Sequence, residues 1–413
     1  MLKMLVGCND SASGTYTEQQ KLVASDAATA DFFGAAVSLS SDGSVLIVGA
    51  YGEDTSPYFQ NGAAYVFTRA GATWTQQQKL TASDPEDSAL FGIAVAMSSD
   101  GNTAIVGARA EDTSPNTDNG AAYVFTRSGS VWSQQAKLLA SDSESNALFG
   151  CAVALSADGN TAIIGARRED TSPSADNGAA YVFTRSGVTW SEQQKLTASD
   201  AASDDFFGTS VALSSNGNTA IIGAIGEDTS PSVQNGAAYV FTRSGSTWTE
   251  QQKLTANDLA SSDQFGISVA LSSNGDTAVV GADLEDTSPT LSNGAAYVFT
   301  RSGSTWTQQQ KLLASDPNTD DNFGRSVAVS ADGNIAVVGA YSETTPPYLN
   351  NGAAYVFTRS GVTWTQKQKI LASDLASNDF FGTSVTMSAG ASVVVIGADG
   401  ETSQAGAAYV FAS

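Results

Sequence analysis

The stretch FGIAVAMSSDGNTAIVGA, residues 91–108, is followed after an acidic loop by GAAYVF at residues 120–125, and copies of it make up most of the chain. Its Phe-Gly pair recurs every 58 residues, with the phenylalanines at Phe33, Phe91, Phe149, Phe207, Phe265, Phe323 and Phe381. A fixed period of this length indicates a repeat architecture, because one supersecondary unit cannot bury its apolar face without a neighbour. The sequence therefore predicts seven equivalent units.

Each unit contains four segments with the pattern of β-strands. In the copy that begins at Phe91 they are residues 93–98, 103–107, 120–127 and 131–138. The first alternates in polarity, and Asp100-Gly101 after it has the chemistry of a tight turn. Seven such units predict an all-β fold, a seven-bladed β-propeller of four-stranded blades, in which radial repetition leaves only short sheet edges.

The two ends of the chain divide one unit between them. The last copy stops after its third predicted strand, at Phe411, and residues 17–22 repeat the sequence of a fourth strand. Pairing the two would complete the seventh blade from both ends, close the ring and remove a free edge. We expect residues 15–413 to form one propeller and residues 1–14 to form a leader or tether.

Composition limits the partners that this chain can have. Its 413 residues carry a net charge of −23. Nucleic acid and anionic membranes attract surfaces rich in lysine and arginine, so neither is an expected partner. No run approaches the roughly 20 apolar residues of a transmembrane helix. An acidic surface is compatible with cations or basic ligands, and equally with acidity that serves only to keep a secreted protein soluble.

The sequence lacks the residues of common catalytic sites. It contains no histidine, which excludes Ser-His-Asp catalysis, Cys-His catalysis and His-bearing zinc sites. A catalytic carboxylate pair should be singular, whereas the acidic residues here recur in copy after copy. We therefore expect no enzymatic activity.

The two cysteines, Cys8 and Cys151, are too few to define a disulfide framework. Leu5-Val6-Gly7-Cys8 is similar to a bacterial lipobox, whose cysteine becomes a lipid anchor. Only seven residues precede Cys8, and they include no apolar segment of the length that a signal peptide has. Cys8 is a lipidation candidate, with a chance match as the alternative.

The Phe-Gly, Val-Gly-Ala and Gly-Ala-Ala-Tyr-Val-Phe pattern resembles the FG-GAP repeat, the unit of the N-terminal propeller of integrin α-subunits and of many bacterial surface and secreted proteins. The resemblance covers about residues 16–411, in seven copies. It implies a non-enzymatic module, extracellular or at the cell surface, for adhesion or ligand recognition. A fold alone does not determine a function, so the ligand has to be argued from the site.

Many members of this family carry a calcium loop, Asp-x-Asp/Asn-x-Asp-Gly-x-x-Asp, between the first two strands. Calcium needs several closely spaced oxygen ligands. The corresponding turns here keep at most one carboxylate each, and we expect plain hairpin turns. No cofactor is required by the sequence, and calcium is the single candidate. Its possible ligands on these turns are Asp42, Asp100, Asp158 and Asp332.

Four antiparallel strands send successive loops to opposite rims of a propeller. The turns between strands 1 and 2 and between strands 3 and 4 form what we call the turn rim. The loops between strands 2 and 3 and the crossovers between units form the loop rim. The acidic residues of the loop rim are a second candidate cation site. The alternative, which their recurrence in nearly every copy favours, is that these side chains hold their own turns. They include Glu53, Asp54, Glu111, Asp112, Glu169, Asp170, Glu227, Asp228, Glu285 and Asp286.

Residues that differ between copies are better candidates for a ligand site, because a residue that builds every blade must repeat. The positions after each Gly-Ala vary, and so do the tips of the loops that follow. Aromatic and arginine side chains are frequent in recognition surfaces, although drift at exposed positions would also produce variation. The candidates for a ligand-binding rim are Tyr51, Tyr58, Arg109, Arg167, Arg168, Ile225, Asp283, Tyr341 and Tyr348.

The sequence predicts a recognition or adhesion module that binds a protein partner through the loop rim. One alternative is a lectin with equivalent sugar sites between the blades, for which the six tryptophans would supply stacking platforms. A tryptophan at a fixed repeat position more often packs blade against blade. A structural assembly subunit without a soluble ligand is a further alternative.

Overall fold

The computed structural model describes residues 14–171, 174–229, 232–258, 260–287 and 290–413. It contains seven four-stranded antiparallel sheets, each built from consecutive strands except the one that joins both ends of the chain. The first strand of each sheet packs beside the first strands of its two neighbours, so the sheets close into a ring. The predicted seven-bladed β-propeller is confirmed.

In blades 1 to 6 the strands run in chain order from the central channel to the outside, and in blade 7 the outer strand is the N-terminal one. The inner strands are Phe33–Leu39, Phe91–Met97, Phe149–Leu155, Phe207–Leu213, Ser268–Leu271, Phe323–Val329 and Phe381–Met387, and we number blades 1 to 7 in this order. The second strands are Val45–Ala50, Thr103–Ala108, Thr161–Ala166, Thr219–Ala224, Thr277–Ala282, Ile335–Ala340 and Val393–Ala398.

The third strands are Ala63–Ala70, Ala121–Ser128, Ala179–Ser186, Ala237–Ser244, Ala295–Ser302, Ala353–Ser360 and Ala407–Ala412. The outer strands are Thr73–Leu80, Val131–Leu138, Thr189–Leu196, Thr247–Leu254, Thr305–Leu312, Thr363–Ile370 and the N-terminal Thr17–Leu22. A four-residue helical turn, Glu401–Gln404, with left-handed backbone angles at Thr402 and Ser403, lies between the second and third strands of blade 7, where no helix is predicted from the sequence.

Blade 7 is closed by the N-terminal strand, as predicted. Thr17 lies opposite Ala412 and Leu22 opposite Ala408 in an antiparallel pair. Tyr16 replaces the tryptophan of the other copies and is buried, with its hydroxyl donating to the Ala391 carbonyl at 2.6 Å. The N-terminal strand gives the third strand of blade 7 a partner and removes the edge that an open ring would expose.

In six of the seven blades the inner strand begins with a bulge at the Phe-Gly pair, and in blade 5 it begins after that pair, at Ser268. In blade 3, Phe149 pairs with Ala166, and regular pairing resumes only at Ala152, opposite Gly165. The glycine of the pair in blade 2, Gly92, has φ +96°, and a Cβ there would lie 2.2 Å from the Ala63 carbonyl oxygen. The bulge interrupts the alternation of side chains, which explains why the predicted strand began two residues late, at 93 instead of Phe91.

The phenylalanine of the Phe-Gly pair, which every copy repeats, packs into an aromatic cluster. Phe91 meets Tyr123 and Phe125 of the third strand edge to face, with ring centroids 5.4 and 6.0 Å apart. All three rings are buried. The same trio recurs in every blade and accounts for the two most regular motifs of the repeat, Phe-Gly and Tyr-Val-Phe.

The tryptophans connect neighbouring outer strands. Trp132 is 3% exposed, and its backbone N–H donates to Gln78 Oε1 at 2.8 Å while its carbonyl accepts from Gln78 Nε2 at 2.9 Å. Its ring N–H donates to Gln77 Oε1 at 3.1 Å. The glutamine pair of one blade therefore binds the tryptophan of the next, and the packing role predicted for these rings is confirmed.

Candidate functional site

The acidic residues of the loop rim take part in one cluster that every blade repeats. In blade 2, Lys137 Nζ donates to Asp84 at 2.8 Å and also contacts Glu111. The Tyr123 hydroxyl donates to Asp84 at 3.1 Å, and Lys137 lies 5.4 Å from the centre of the Tyr123 ring. Glu111 is buried at 2% exposure, so its charge depends on the lysine.

The lysines that hold these clusters are Lys21, Lys79, Lys137, Lys195, Lys253, Lys311 and Lys369. Burial alone would lower the pKa of Lys137, but its two carboxylate partners outweigh that effect and raise it. The candidate ligands Glu53, Glu111, Glu169, Glu227 and Glu285 each accept from this ammonium group. Sequence reasoning missed the lysines, although each stands directly before the leucine or isoleucine that ends an outer strand.

The neighbouring aspartates of the loop rim hold their own loops. Asp112 accepts the backbone N–H of Asp118 at 2.7 Å, and Asp54 accepts that of Gln60 at 2.6 Å. Asp170, Asp228 and Asp286 make the equivalent bond. The loop geometry therefore supports the turn-forming role that their recurrence suggested.

The turn rim does not fit the calcium loop of the family. Asp100 accepts from the Ser98 hydroxyl at 2.6 Å and from the Asn102 backbone at 3.0 Å, and these bonds outweigh burial and lower its pKa. Asp42, Asp158 and Asp332 accept the same kinds of bond. Across the described ranges, no three Asp, Glu or Cys side chains converge as metal ligands would. Calcium binding stays a prediction without a fitting site here.

A second carboxylate accompanies the buried loop glutamate in each of several blades. It belongs to Asp31, Asp205, Asp263, Asp321 or Asp379 in blades 1, 4, 5, 6 and 7. Blades 2 and 3 have alanine at that position, and Glu86 and Glu144 reach the loop from three residues earlier. Burial, with help from the neighbouring glutamate, raises the pKa of Asp205 to about 7 and that of Asp263 to about 6.

The inner strands enclose the central channel of the ring. Its middle is a cavity of about 340 Å³ lined by inner-strand residues from all seven blades. Towards the loop rim lies a cavity of about 240 Å³. The residue after each Phe-Gly lines it, and this position differs between copies: Ala35, Ile93, Cys151, Thr209, Ile267, Arg325 and Thr383. We call this opening, together with the residues that directly follow the second strands, the channel mouth.

Aromatic side chains form part of the channel mouth. Tyr51 stacks on Phe32, with centroids 4.8 Å apart and planes at 4°. Tyr341 packs against Phe380 at 5.8 Å, and the Arg325 guanidinium lies over the Tyr341 ring at 5.4 Å. Two of the predicted site residues thus sit in ordered aromatic contacts, which fixes their orientation.

Arginines form another part of the channel mouth. Arg109 and Arg167 directly follow the second strands of blades 2 and 3. Burial lowers the pKa of Arg167, and the nearby charges of Arg109, Arg168 and Arg325 lower it further. The Arg167 Nε is buried and has no hydrogen-bond partner among the described residues.

Acidic side chains complete the channel mouth. Asp283 is 3% exposed and lies 3.5 Å from Arg325, while its Oδ1 has no partner in the described part of the chain. Burial raises the pKa of Asp399 to about 6. Arg325 and Asp399 were not among the predicted site residues, although both stand at positions that vary between copies.

The remaining predicted site residues are distributed differently. Ile225 is half-buried at the channel mouth, in the position that Tyr51 occupies in blade 1. Arg168 is exposed beside Arg167. Tyr58 and Tyr348 belong to loop tips, next to the exposed side chains of Phe59 and Leu349. The structure therefore groups the candidates into a channel mouth and a set of loop tips.

Two predictions concern membrane attachment. The lipidation candidate Cys8 and most of the predicted leader, residues 1–13, lie outside the described residues. No helix in the described ranges has the length and apolar character needed to cross a membrane.

Comparison with known proteins agrees with the architecture. The FG-GAP repeat matches seven segments, residues 16–67, 74–125, 132–183, 190–241, 248–299, 306–357 and 364–411. The segment 74–125 runs from the outer strand of blade 1 to the third strand of blade 2, so the sequence repeat spans two blades. No curated protein matches the chain. Since the repeat accounts for most of its length, the chain belongs to the FG-GAP repeat family.

Proposed function

We propose that this protein is a non-enzymatic recognition module, at the cell surface or outside the cell, that binds a partner through its channel mouth and the surrounding loop rim. The observation that carries this proposal is the distribution of sequence variation. The side chains that build the blades repeat, whereas those at the channel mouth differ from blade to blade and include Tyr51, Arg109, Arg167, Asp283 and Tyr341. Such a composite surface suits one asymmetric ligand.

Exposed apolar side chains on the loop tips support a protein or peptide ligand. Phe59 is 67% exposed, and Val233, Leu291 and Leu349 occupy the equivalent loop position in blades 4, 5 and 6 with exposures of 55%, 59% and 62%. Blades 2 and 3 have Thr117 and Ala175 there. Grouped exposed apolar residues around a polar centre are typical of interaction surfaces.

The test is a selection of random displayed peptides on the immobilised protein, followed by affinity measurements on variants. Arg167→Glu and Tyr341→Ala should each lower the affinity for the selected peptides by at least tenfold, because recognition surfaces depend on a few central aromatic and arginine residues. Arg69→Ala, on the opposite rim over Trp74, is the matched control and should leave affinity unchanged. Selected peptides that lose affinity on Arg69→Ala, but not on Arg167→Glu or Tyr341→Ala, would contradict the proposal.

A lectin is the second candidate. A groove of about 370 Å³ lies between the outer strands of blades 4 and 5, lined by polar groups that include Lys253, Asn257 and Gln308. The Trp306 ring at this groove is 2% exposed, which leaves little of it for stacking on a sugar. Binding to a glycan array that is lost on Asn257→Ala and kept on Tyr341→Ala would favour the lectin.

A further inference from the structure

We propose that the channel mouth holds an anionic group of its ligand, a carboxylate, sulfate or phosphate, between the guanidinium groups of Arg109 and Arg167. The inference rests on the proposed function, since it names the chemistry recognised at the same opening. An anion site is unexpected in a chain with a net charge of −23, and we infer it from the positions of the arginines that do not repeat between copies.

The repeat uses its own basic residues internally. The repeated lysines bind loop and crossover carboxylates, as Lys137 does in blade 2. The repeated arginines lie over tryptophans, as Arg127 lies over Trp132 at 5.8 Å. The arginines that break the repeat pattern all stand on the loop rim: Arg109, Arg167, Arg168 and Arg325.

Arg109 and Arg167 lack a counter-ion of their own. Within the described residues neither side chain makes a salt bridge, whereas Arg325 has Asp283 at 3.5 Å. The Nε of Arg167 is buried without an acceptor, which leaves part of its hydrogen-bonding capacity unused. A buried donor without a partner is costly, and a ligand oxygen would satisfy it.

The surroundings suit a small oxyanion carried on a larger ligand. Guanidinium groups bind carboxylates and phosphates through paired hydrogen bonds, which gives them geometric specificity. The adjoining cavity of about 240 Å³ has room for such a group, and Cys151 and Arg325 line it. The strongly negative remainder of the protein repels free anions at a distance, so affinity must come from the local contacts.

The test uses sulfate, inorganic phosphate and acetate as separate probes, titrated at constant ionic strength and followed by calorimetry. We expect saturable binding in the millimolar range, weakened about tenfold or more by Arg109→Gln and by Arg167→Gln, because each removes a charge-assisted hydrogen-bond donor. Arg69→Gln is the matched control and should bind as the wild type does. Binding of acetate would indicate a carboxylate ligand, and binding of sulfate or phosphate alone would indicate a sulfated or phosphorylated one.

A second readout follows the thiol that lines the cavity. In a Cys8→Ser background, each bound anion should slow the reaction of Cys151 with a neutral maleimide, and Arg109→Gln should abolish that protection. If Arg167→Gln does not fold, Arg109→Gln alone carries both readouts.

Absence of saturable binding for all three probes, or binding equally strong in Arg109→Gln, would overturn the anion site. Loss of the anion site would not by itself overturn the proposed function. It would survive if selected peptides without an acidic group bound the wild type and lost affinity on Tyr341→Ala.

Discussion

At the scale of single residues, the buried glutamates of the loop rim are each paired with a lysine that every blade repeats. The Lys137 ammonium holds Glu111 and Asp84 together while lying on the Tyr123 ring. Such a cluster contributes little beyond what an apolar replacement would, but losing one member leaves a buried charge without a partner. The same arrangement recurs in each blade, which explains why the acidic loop residues repeat so regularly.

Replacing Lys137 with methionine should therefore lower the free energy of unfolding by about 3–5 kcal/mol, because Glu111 would remain buried and unpaired. Chemical denaturation followed by tryptophan fluorescence measures this change. The double variant Lys137→Met/Glu111→Gln should recover much of the loss, since it removes the stranded charge. Equal stability of the single variant and the wild type would show that the cluster contributes nothing.

The second carboxylates of the loop rim make stability depend on pH. Burial, with help from the neighbouring loop glutamate, raises the pKa values of Asp263, Asp321 and Asp379 to about 6 and that of Asp205 to about 7. An unfolded aspartate has a pKa near 3.9, so between about pH 4 and 7 the folded state binds more protons than the unfolded state. Stability should fall as the pH rises through this window.

Melting temperatures measured from pH 4.5 to 7.5 test this expectation. They should decrease with pH, and Asp263→Asn should make the decrease shallower because it removes one titrating group. The aspartates with lowered pKa values, such as Asp142 and Asp200, act in the opposite direction but only at more acidic pH. A melting temperature that rises across the window would contradict the account.

At the scale of elements, the close approach of neighbouring blades depends on glycine. A Cβ on Gly107, in the second strand of blade 2, would lie 2.0 Å from the carbonyl oxygen of Gly150 in the inner strand of blade 3. The backbone of Gly150 cannot move without disturbing its own strand. The glycine of Val-Gly-Ala is therefore required by the spacing between blades and not by an unusual backbone angle.

Gly107→Ala should destabilise the protein by at least about 3 kcal/mol, at the upper end of the cost of overpacking, because the clash is with backbone. Gly390→Ala is the matched control, since a Cβ there meets nothing within 4 Å and φ is not in the left-handed region. The control should change stability by less than about 0.5 kcal/mol. Thermal and chemical denaturation of both variants provide the comparison.

At the scale of the whole molecule, one N-terminal strand closes the ring. Its Leu22 and the preceding Tyr16 are buried against blades 1, 6 and 7. Removing residues 1–22 would expose that core and leave Ala407–Ala412 as an unpaired edge. We expect a truncated protein that melts at lower temperature and associates with itself.

A synthetic peptide of residues 15–24, added to the truncated protein, should bind and restore the melting temperature, because it supplies the missing outer strand. A peptide of scrambled sequence is the control. A truncated protein that remained monomeric with an unchanged melting temperature would show that closure by this strand is not needed for stability.

The repeat made the fold predictable, whereas the site was predictable only in part. A period of 58 residues, a spare fourth strand at the N-terminus and a last copy that lacks its own fourth strand indicated seven closed blades, and seven copies of each position made every strand easier to recognise. The salt bridges of Lys137 join residues far apart in sequence, which periodicity does not reveal. The contact between Asp283 and Arg325 joins two blades, so only the ring geometry could bring these side chains together.

The central claim is that repeated residues build the scaffold and copy-specific residues at the channel mouth bind the ligand. It is tested most directly by replacing four copy-specific side chains of the mouth, Tyr51, Arg109, Arg167 and Tyr341, together with isoleucine, which blade 4 carries there as Ile225. The measurement is the affinity of this variant for peptides selected on the wild type, beside its melting temperature. We predict a melting temperature close to that of the wild type and at least a hundredfold loss of affinity. Affinity that is retained by the folded variant would contradict the account.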